Sequence, residues 1–172
     1  DAHRSKLETI NRSGSHLLSL INDVLEISRI EAGRTHVQNE VFSLTEMLTS
    51  VEDMIRVRAE LKGLHFLSLR DGELPRYVVG DAHHLRQILL NLLSNAVKYT
   101  DQGSVRLHVK AEEDTIRFEV SDTGAGIAEA DLPRIFQAFY QTDRGAAQGE
   151  GTGLGLTISR EFVRLMGGTI NV

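Results

Sequence analysis

The chain has 172 residues, 41% of them hydrophobic and 5% aromatic, with no Trp, no Cys and a formal net charge of −5. That length suits one domain or one and a half, with a core filled mainly by Leu, Ile and Val. The charge argues against a nucleic-acid partner and against bulk attraction to an acidic membrane, and the lack of cysteine excludes disulfides and thiolate metal sites.

The N-terminus "DAHRSKLETI" has neither a signal-peptide pattern nor an initiator Met, so a piece of a longer protein is expected. No apolar run approaches the roughly 20 residues of a membrane span. Direct membrane contact is not expected, and a reducing, cytoplasmic setting is, although the parent could be membrane-anchored.

Residues 1 to about 33 read as one helix. Leu7, Ile10, Leu17, Ile21 and Val24 follow three-four spacing, Leu18 and Leu25 widen the stripe, Gly14 falls on it, and Gly33 suits a C-terminus. Such a helix is long for a globular core, so its seam requires a partner helix, in the same chain or another. "HVQNEVFSL" reads as a connector. Ser43 is its candidate N-cap, with Glu46 completing a capping box before a helix near 44–62 that ends at Gly63.

"LHFLSLR" alternates as a strand, and "GELPRYVVGD" leads through a short strand to Asp81, which caps a helix over about 82–99. "SVRLHVKAEEDTIRFEVSD" is a hairpin around "AEED". After "DTGAGI" come a short helix around "EADLPRIFQAF", the polar glycine-rich "QTDRGAAQGEGTG", and a helix from Leu154 to Met166 closed by Gly167 and Gly168. "TINV" starts a strand.

Three stretches could carry chemistry. In "LLNLLSNAVKYT", Asn91, Asn95 and Lys98 share one helical face, while Leu89, Leu92, Leu93, Ala96 and Val97 take the other. The polar stripe is either a solvated face or a site: amide oxygens can ligate Mg²⁺, and a lysine can meet phosphate. In "SDTGAGI", Asp122 could begin a turn, with Gly124 and Gly126 supplying positive φ. Alternatively it is a buried carboxylate accepting from a ligand amine, beside glycines that let a flat base approach. In "GEGTGLGL", Gly151, Gly153 and Gly155 open a helix whose N–H groups suit phosphate. No strand precedes it and no Lys-Ser/Thr follows, so it is neither a Rossmann nor a Walker A loop. The other reading is a flexible loop, and residues 141–152 are expected to be flexible in either case.

The order of these stretches is more specific than any one of them. "NLLSNAVKYT", "DTGAGI", "LPRIFQAFYQ" and "GTGLGL" resemble the N, G1, F and G2 boxes of the ATP-binding catalytic domain of sensor histidine kinases, in the GHKL superfamily. "LETINRSGSHLLSLINDVLEISRIEAG" resembles the second helix of the dimerisation and histidine-phosphotransfer hairpin of hybrid-type kinases. The resemblance spans nearly the whole chain. It implies an α+β fold, a two-layer α/β sandwich of the Bergerat type, preceded by a long N-terminal helix. Residues 1–40 would be the partial phosphotransfer region with its linker, and residues 41–172 the catalytic domain, cut short at the C-terminus.

Carried over residue by residue, the resemblance makes Asn95 a ligand of Mg²⁺ bridging the ATP phosphates, and Asn91 a second ligand or water-positioning group. Lys98 would contact phosphate and Tyr99 would line the nucleotide site. Asp122 would accept from the adenine amino group, with Gly124, Gly126 and Ile127 shaping the base pocket. Phe136 and Phe139 would anchor the lid, unless they are ordinary core residues. Gly151, Gly153 and Gly155 would present N–H groups to phosphate, with Thr152, Leu154 and Leu156 in the same binding loop. The implied partners are ATP, a second copy in the full-length parent, and a response-regulator receiver domain.

Departures matter too. None of His3, His16, His36, His65, His83, His84 or His108 has the acidic residue and Thr-Pro-Leu-like turn that follow the family's phosphoacceptor, so that helix is expected to be absent here. The family usually continues beyond "TINV" through a glycine-rich turn into another strand. A basic lid residue common before the G2 box is lacking, with Ala147 and Gln148 in that region, which leaves Arg144 as a candidate for the γ-phosphate. The chain is thus expected to bind ATP without phosphorylating itself. The competitors are a superfamily ATPase that hydrolyses ATP, which usually carries Glu in place of Asn91, and a signalling module with a degenerate site.

Overall fold

The computed structural model describes residues 2–143, 145 and 151–172. Its elements are α1 (Ala2–Glu31), β1 (Glu40–Ser43), α2 (Leu44–Leu61), β2 (His65–Asp71), β3 (Tyr77–Gly80), α3 (Ala82–Tyr99), β4 (Ser104–Glu112), β5 (Thr115–Asp122) and α4 (Gly155–Leu165). They form two compact units: residues 37–126 with 165–168, and residues 1–36 with 127–164 and 169–172.

The first unit is a two-layer α/β arrangement. Its three-stranded sheet has the order β2-β4-β5, with β2 parallel and β5 antiparallel to β4. The Glu112↔Thr115 pairing closes the expected hairpin around Glu113 and Asp114. Val105, Leu107 and Val109 alternate along β4 and are fully buried, as one face of a pleated strand must be when helices cover it. They meet Leu48, Val51 and Ile55 of α2 and Leu89, Leu93, Ala96 and Val97 of α3 in one core. Ser43 caps α2 by accepting from the Glu46 N–H. Gly63 ends that helix at φ 72°, and the Leu64 N–H reaches back to the Ala59 carbonyl, the six-to-one bond of a Schellman close.

β1 falls within the stretch read as a connector. It pairs antiparallel with β3, Val41 opposite Val79. Four residues carry too little periodicity to register as a strand, and the pairing partner is distant in sequence.

In the second unit α1 runs to Glu31 and closes at Gly33 (φ 63°), with the Arg34 N–H bonding the Arg29 carbonyl. Its stripe of Leu7, Ile10, Leu17, Leu18, Ile21, Val24 and Leu25 is 41–67% exposed, so the described residues leave much of it uncovered. Two expectations do not hold. Instead of a short helix, 129–139 is a succession of turns, with the Arg134 N–H on Asp131 and the Gln137 N–H on Arg134. Pro133 has no N–H to give a helical ladder, and Phe139 adopts φ 63°. "TINV" forms no strand, because a strand exists only where its backbone groups find a partner.

Candidate functional site

α3 is fixed at both ends. At its start the buried Asp81 accepts from the His84 N–H (2.9 Å) and the Gln38 N–H (2.9 Å), and His84 Nδ1 lies 2.6 Å from the same carboxylate. Burial alone would push the Asp81 carboxyl up, but these hydrogen bonds and the His84 charge together outweigh it and hold it below its usual value. At the other end Lys62 Nζ donates to the carbonyls of Val97 (2.9 Å) and Lys98 (2.6 Å), where a cation also complements the helix dipole. In between, Arg58 donates to Ser94 Oγ at 2.6 Å.

On this helix Leu89, Leu93, Ala96 and Val97 are buried as expected. Leu92, assigned to that side, is only half-buried, as are Asn91, Asn95, Lys98 and Tyr99 on the polar side. Lys98 Nζ stands 4.9 Å from the centroid of the Tyr99 ring. Asn91 and Asn95 offer neutral amide oxygens, and no group of three His, Asp or Glu that could hold a metal exists among the described residues. Such a donor set fits Mg²⁺ that arrives with phosphate oxygens supplying most of its charge, since Mg²⁺ keeps waters and substrate phosphates in its shell.

The end of β5 meets the end of α3. Asp122 Oδ1 accepts from the Gly124 N–H (2.8 Å) and from Thr100 Oγ1 (3.3 Å). A Cβ on Gly124 would lie 2.6 Å from the Tyr99 carbonyl oxygen and 2.7 Å from Asp122 Oδ1, so only glycine lets the two segments approach. The Asp122 residue itself is exposed. The reading of a buried carboxylate is therefore corrected: the strand terminus places it at the surface, where it organises the turn. Gly126 has φ 71° with open space around it. Thr100 and Thr123 went unrecognised in the sequence. Thr100 is fully buried, and Thr123 Oγ1 accepts from the Ser104 N–H at 3.0 Å, lacing the turn after α3 to the turn after β5. Their only sequence signal is adjacency to the motifs, "KYT" and "DTG".

The remaining residues belong to the other unit. Phe136 is half-buried with the Arg160 guanidinium 5.6 Å over its ring, while Phe139 is 65% exposed and Ile127 is 41% exposed. The Phe139 N–H donates to the Gly153 carbonyl (3.0 Å), Gln141 Nε2 to the Gly151 carbonyl (2.9 Å), and Thr157 Oγ1 to the Phe136 carbonyl (3.0 Å). A Cβ on Gly153 would sit 2.8 Å from the Phe139 carbonyl carbon. The glycine loop is thus stitched to the phenylalanine segment. Leu154 is fully buried, Gly155 and Leu156 open α4, and Thr152 Oγ1 accepts from the Leu154 N–H at 3.2 Å. Arg144, Ala147 and Gln148 lie outside the described residues. Neither the cleft of about 480 Å³ beside Phe66 nor that of about 700 Å³ beside Phe118 is lined by any of these site residues.

Residues 80–172 match the family described as "Histidine kinase-, DNA gyrase B-, and HSP90-like ATPase". The "Sensory/regulatory protein RpfC" of Xanthomonas campestris pv. campestris is 44% identical over 171 residues, 95% of this chain and 24% of that protein. The "Circadian input-output histidine kinase CikA" of Synechococcus elongatus is 42% identical over 175 residues, 100% of this chain and 23% of that protein. The chain therefore spans about a quarter of the length of these curated relatives. The crystal structure of full-length ShkA in complex with AMPPNP superposes with a TM-score of 0.80 at 38% identity, over 97% of this chain and 35% of that one. The structure of ThkA with the response regulator TrrA has the same fold, with a TM-score of 0.75 at 22% identity. The ordered boxes on α3, the turn after β5 and the loop before α4 are those of the histidine kinase-, DNA gyrase B- and HSP90-like ATPases, and the chain belongs to that family, with histidine kinases among its relatives.

Proposed function

We propose that this chain is the ATP-binding catalytic portion of a two-component sensor histidine kinase, passing the ATP γ-phosphoryl group to a histidine outside residues 1–172. The observation that carries this reading is the interlock of α3 with the turn after β5. Gly124 packs against the Tyr99 carbonyl and Asp122 accepts from Thr100, so the Asn91–Asn95–Lys98 stripe and the Asp122 turn form one rigid assembly.

Such transfer is mostly positioning and charge stabilisation. Asn95, with Asn91, holds Mg²⁺ that comes with the phosphates. Lys98 adds a positive charge, Asp122 and Gly124 receive the base, and the loop at 151–156 offers N–H groups to phosphate. Residues 1–40 serve as part of the phosphotransfer and dimerisation region, residues 41–172 as the catalytic domain, and a receiver domain takes the phosphoryl group next. The AMPPNP bound to ShkA and the regulator bound to ThkA support those two partner classes.

Calorimetry with Mg-AMPPNP is expected to give binding that Asn95→Ala weakens at least tenfold. Incubation with γ-labelled ATP is expected to leave no acid-labile phosphate on the chain. Steady release of inorganic phosphate would instead make it a hydrolysing ATPase, and the absence of Mg-AMPPNP binding would make it a degenerate module.

A further inference from the structure

Thr152 Oγ1 lies 2.8 Å from Asp23 Oδ2, across 129 positions of sequence but within one compact unit. The same hydroxyl accepts from the Leu154 N–H at 3.2 Å. Read as a chain of donors, the Leu154 amide gives to the Thr152 oxygen and the Thr152 hydroxyl gives to the carboxylate, so the loop turn ends on a full negative charge. Charge-assisted hydrogen bonds of this kind are roughly twice as strong as neutral ones.

The loop needs such tethers. Gly151 and Gly153 have φ 146° and 71°, and glycine loses more conformational freedom on ordering than any other residue. The Gln141 and Phe139 bonds hold Gly151 and Gly153 from the neighbouring turns. Asp23 holds Thr152 from α1, and it is half-buried there, as is Thr152.

We propose that Asp23 is a positioning residue for the nucleotide: through Thr152 it fixes the turn that aims the first N–H groups of α4, and so couples α1 to the phosphate-binding loop. This rests on the nucleotide reading of that loop given above. Asp23 touches no phosphate itself; it acts by keeping the loop in one conformation before ligand arrives, which cuts the ordering cost of binding.

The test uses the whole chain and Mg-AMPPNP calorimetry, with amide exchange at Leu154 and Gly155 as a second readout. Asp23→Ala and Thr152→Val are each expected to weaken binding about tenfold, the loss typical of one hydrogen bond to a charged group. Because Thr152→Val already removes the bond to Asp23, together with the one from the Leu154 amide, the double variant is expected to be no weaker than Thr152→Val alone. Asp23→Asn, which still offers a neutral acceptor oxygen, is expected to recover part of the affinity. In Asp23→Ala the Leu154 and Gly155 amides should exchange faster while those in the middle of α4, around Phe162, are unchanged.

Native affinity in Asp23→Ala, losses that multiply in the double variant, or an Asp23→Asn as weak as Asp23→Ala would each overturn the proposal. If the native chain binds no Mg-AMPPNP, the nucleotide reading itself fails and the proposal with it. In that case the exchange data still report whether the Asp23 tether orders the loop, which separates the two failures.

Discussion

Gly124 is a residue on which a close approach of two segments in the site depends. The Tyr99 carbonyl and the Asp122 carboxylate both stand under 3 Å from the position a Cβ would take, and one of them is backbone that cannot swing aside. Gly124→Ala should therefore cost about 2–3 kcal/mol in urea unfolding, in the upper range of overpacking, and should abolish Mg-AMPPNP binding. Gly126→Ala meets no atom and has only its φ of 71° to contend with. It should cost about 1 kcal/mol. Asp81 makes a different argument, from charge. Its carboxyl is held below the usual value of about 3.9, so the stability it contributes is present above that value and lost as pH falls through the folded one. Asp81→Ala is expected to lose about 2 kcal/mol at pH 7, combining the cap with buried hydrogen bonds. The native chain should then lose more stability than the variant when unfolding is repeated below about pH 4.

Among elements, α3 carries the most consequence, because its final turn presents Lys98 and Tyr99. Lys62 ties that turn down by donating to two carbonyls that the helix itself cannot satisfy. Lys62→Met keeps the aliphatic stem and removes the donor. It should cost about 1–2 kcal/mol and speed amide exchange at Tyr99 and Thr100, while the start of α3 at His84 stays protected. Equal exchange at both ends would show that Lys62 does not hold the turn. The turns at 129–139 are the opposite case. Their apolar pattern suggests a helix, yet Pro133 and the left-handed Phe139 divert the backbone so that Phe139 can donate to Gly153.

For the whole molecule, burial is distributed very unevenly. α2, α3 and β4 share one core of fully buried side chains, whereas the apolar stripe of α1 stays exposed. Most of a helix's stability in a protein comes from its packed face, and local opening is easiest where buried contacts are few. Hydrogen exchange should accordingly find the slowest amides in β4, α2 and α3, and fast ones in the first half of α1. Protection of α1 should rise with protein concentration if a second copy covers the stripe; protection as strong as that of α3 in dilute solution would contradict this account. Much of this was legible in the chain itself. The caps at Ser43 and Asp81, the glycine stops at 33 and 63, the hairpin at Glu113 and the order of the four boxes are local signals, and local backbone chemistry enforces them. What required the fold were relations between distant residues: β1 finding β3, Thr100 bonding Asp122, Lys62 capping another helix, and Asp23 reaching Thr152. Sequence patterns report which face of an element is apolar, because that preference is intrinsic to each residue. Which atoms then meet across it depends on packing that no single segment encodes.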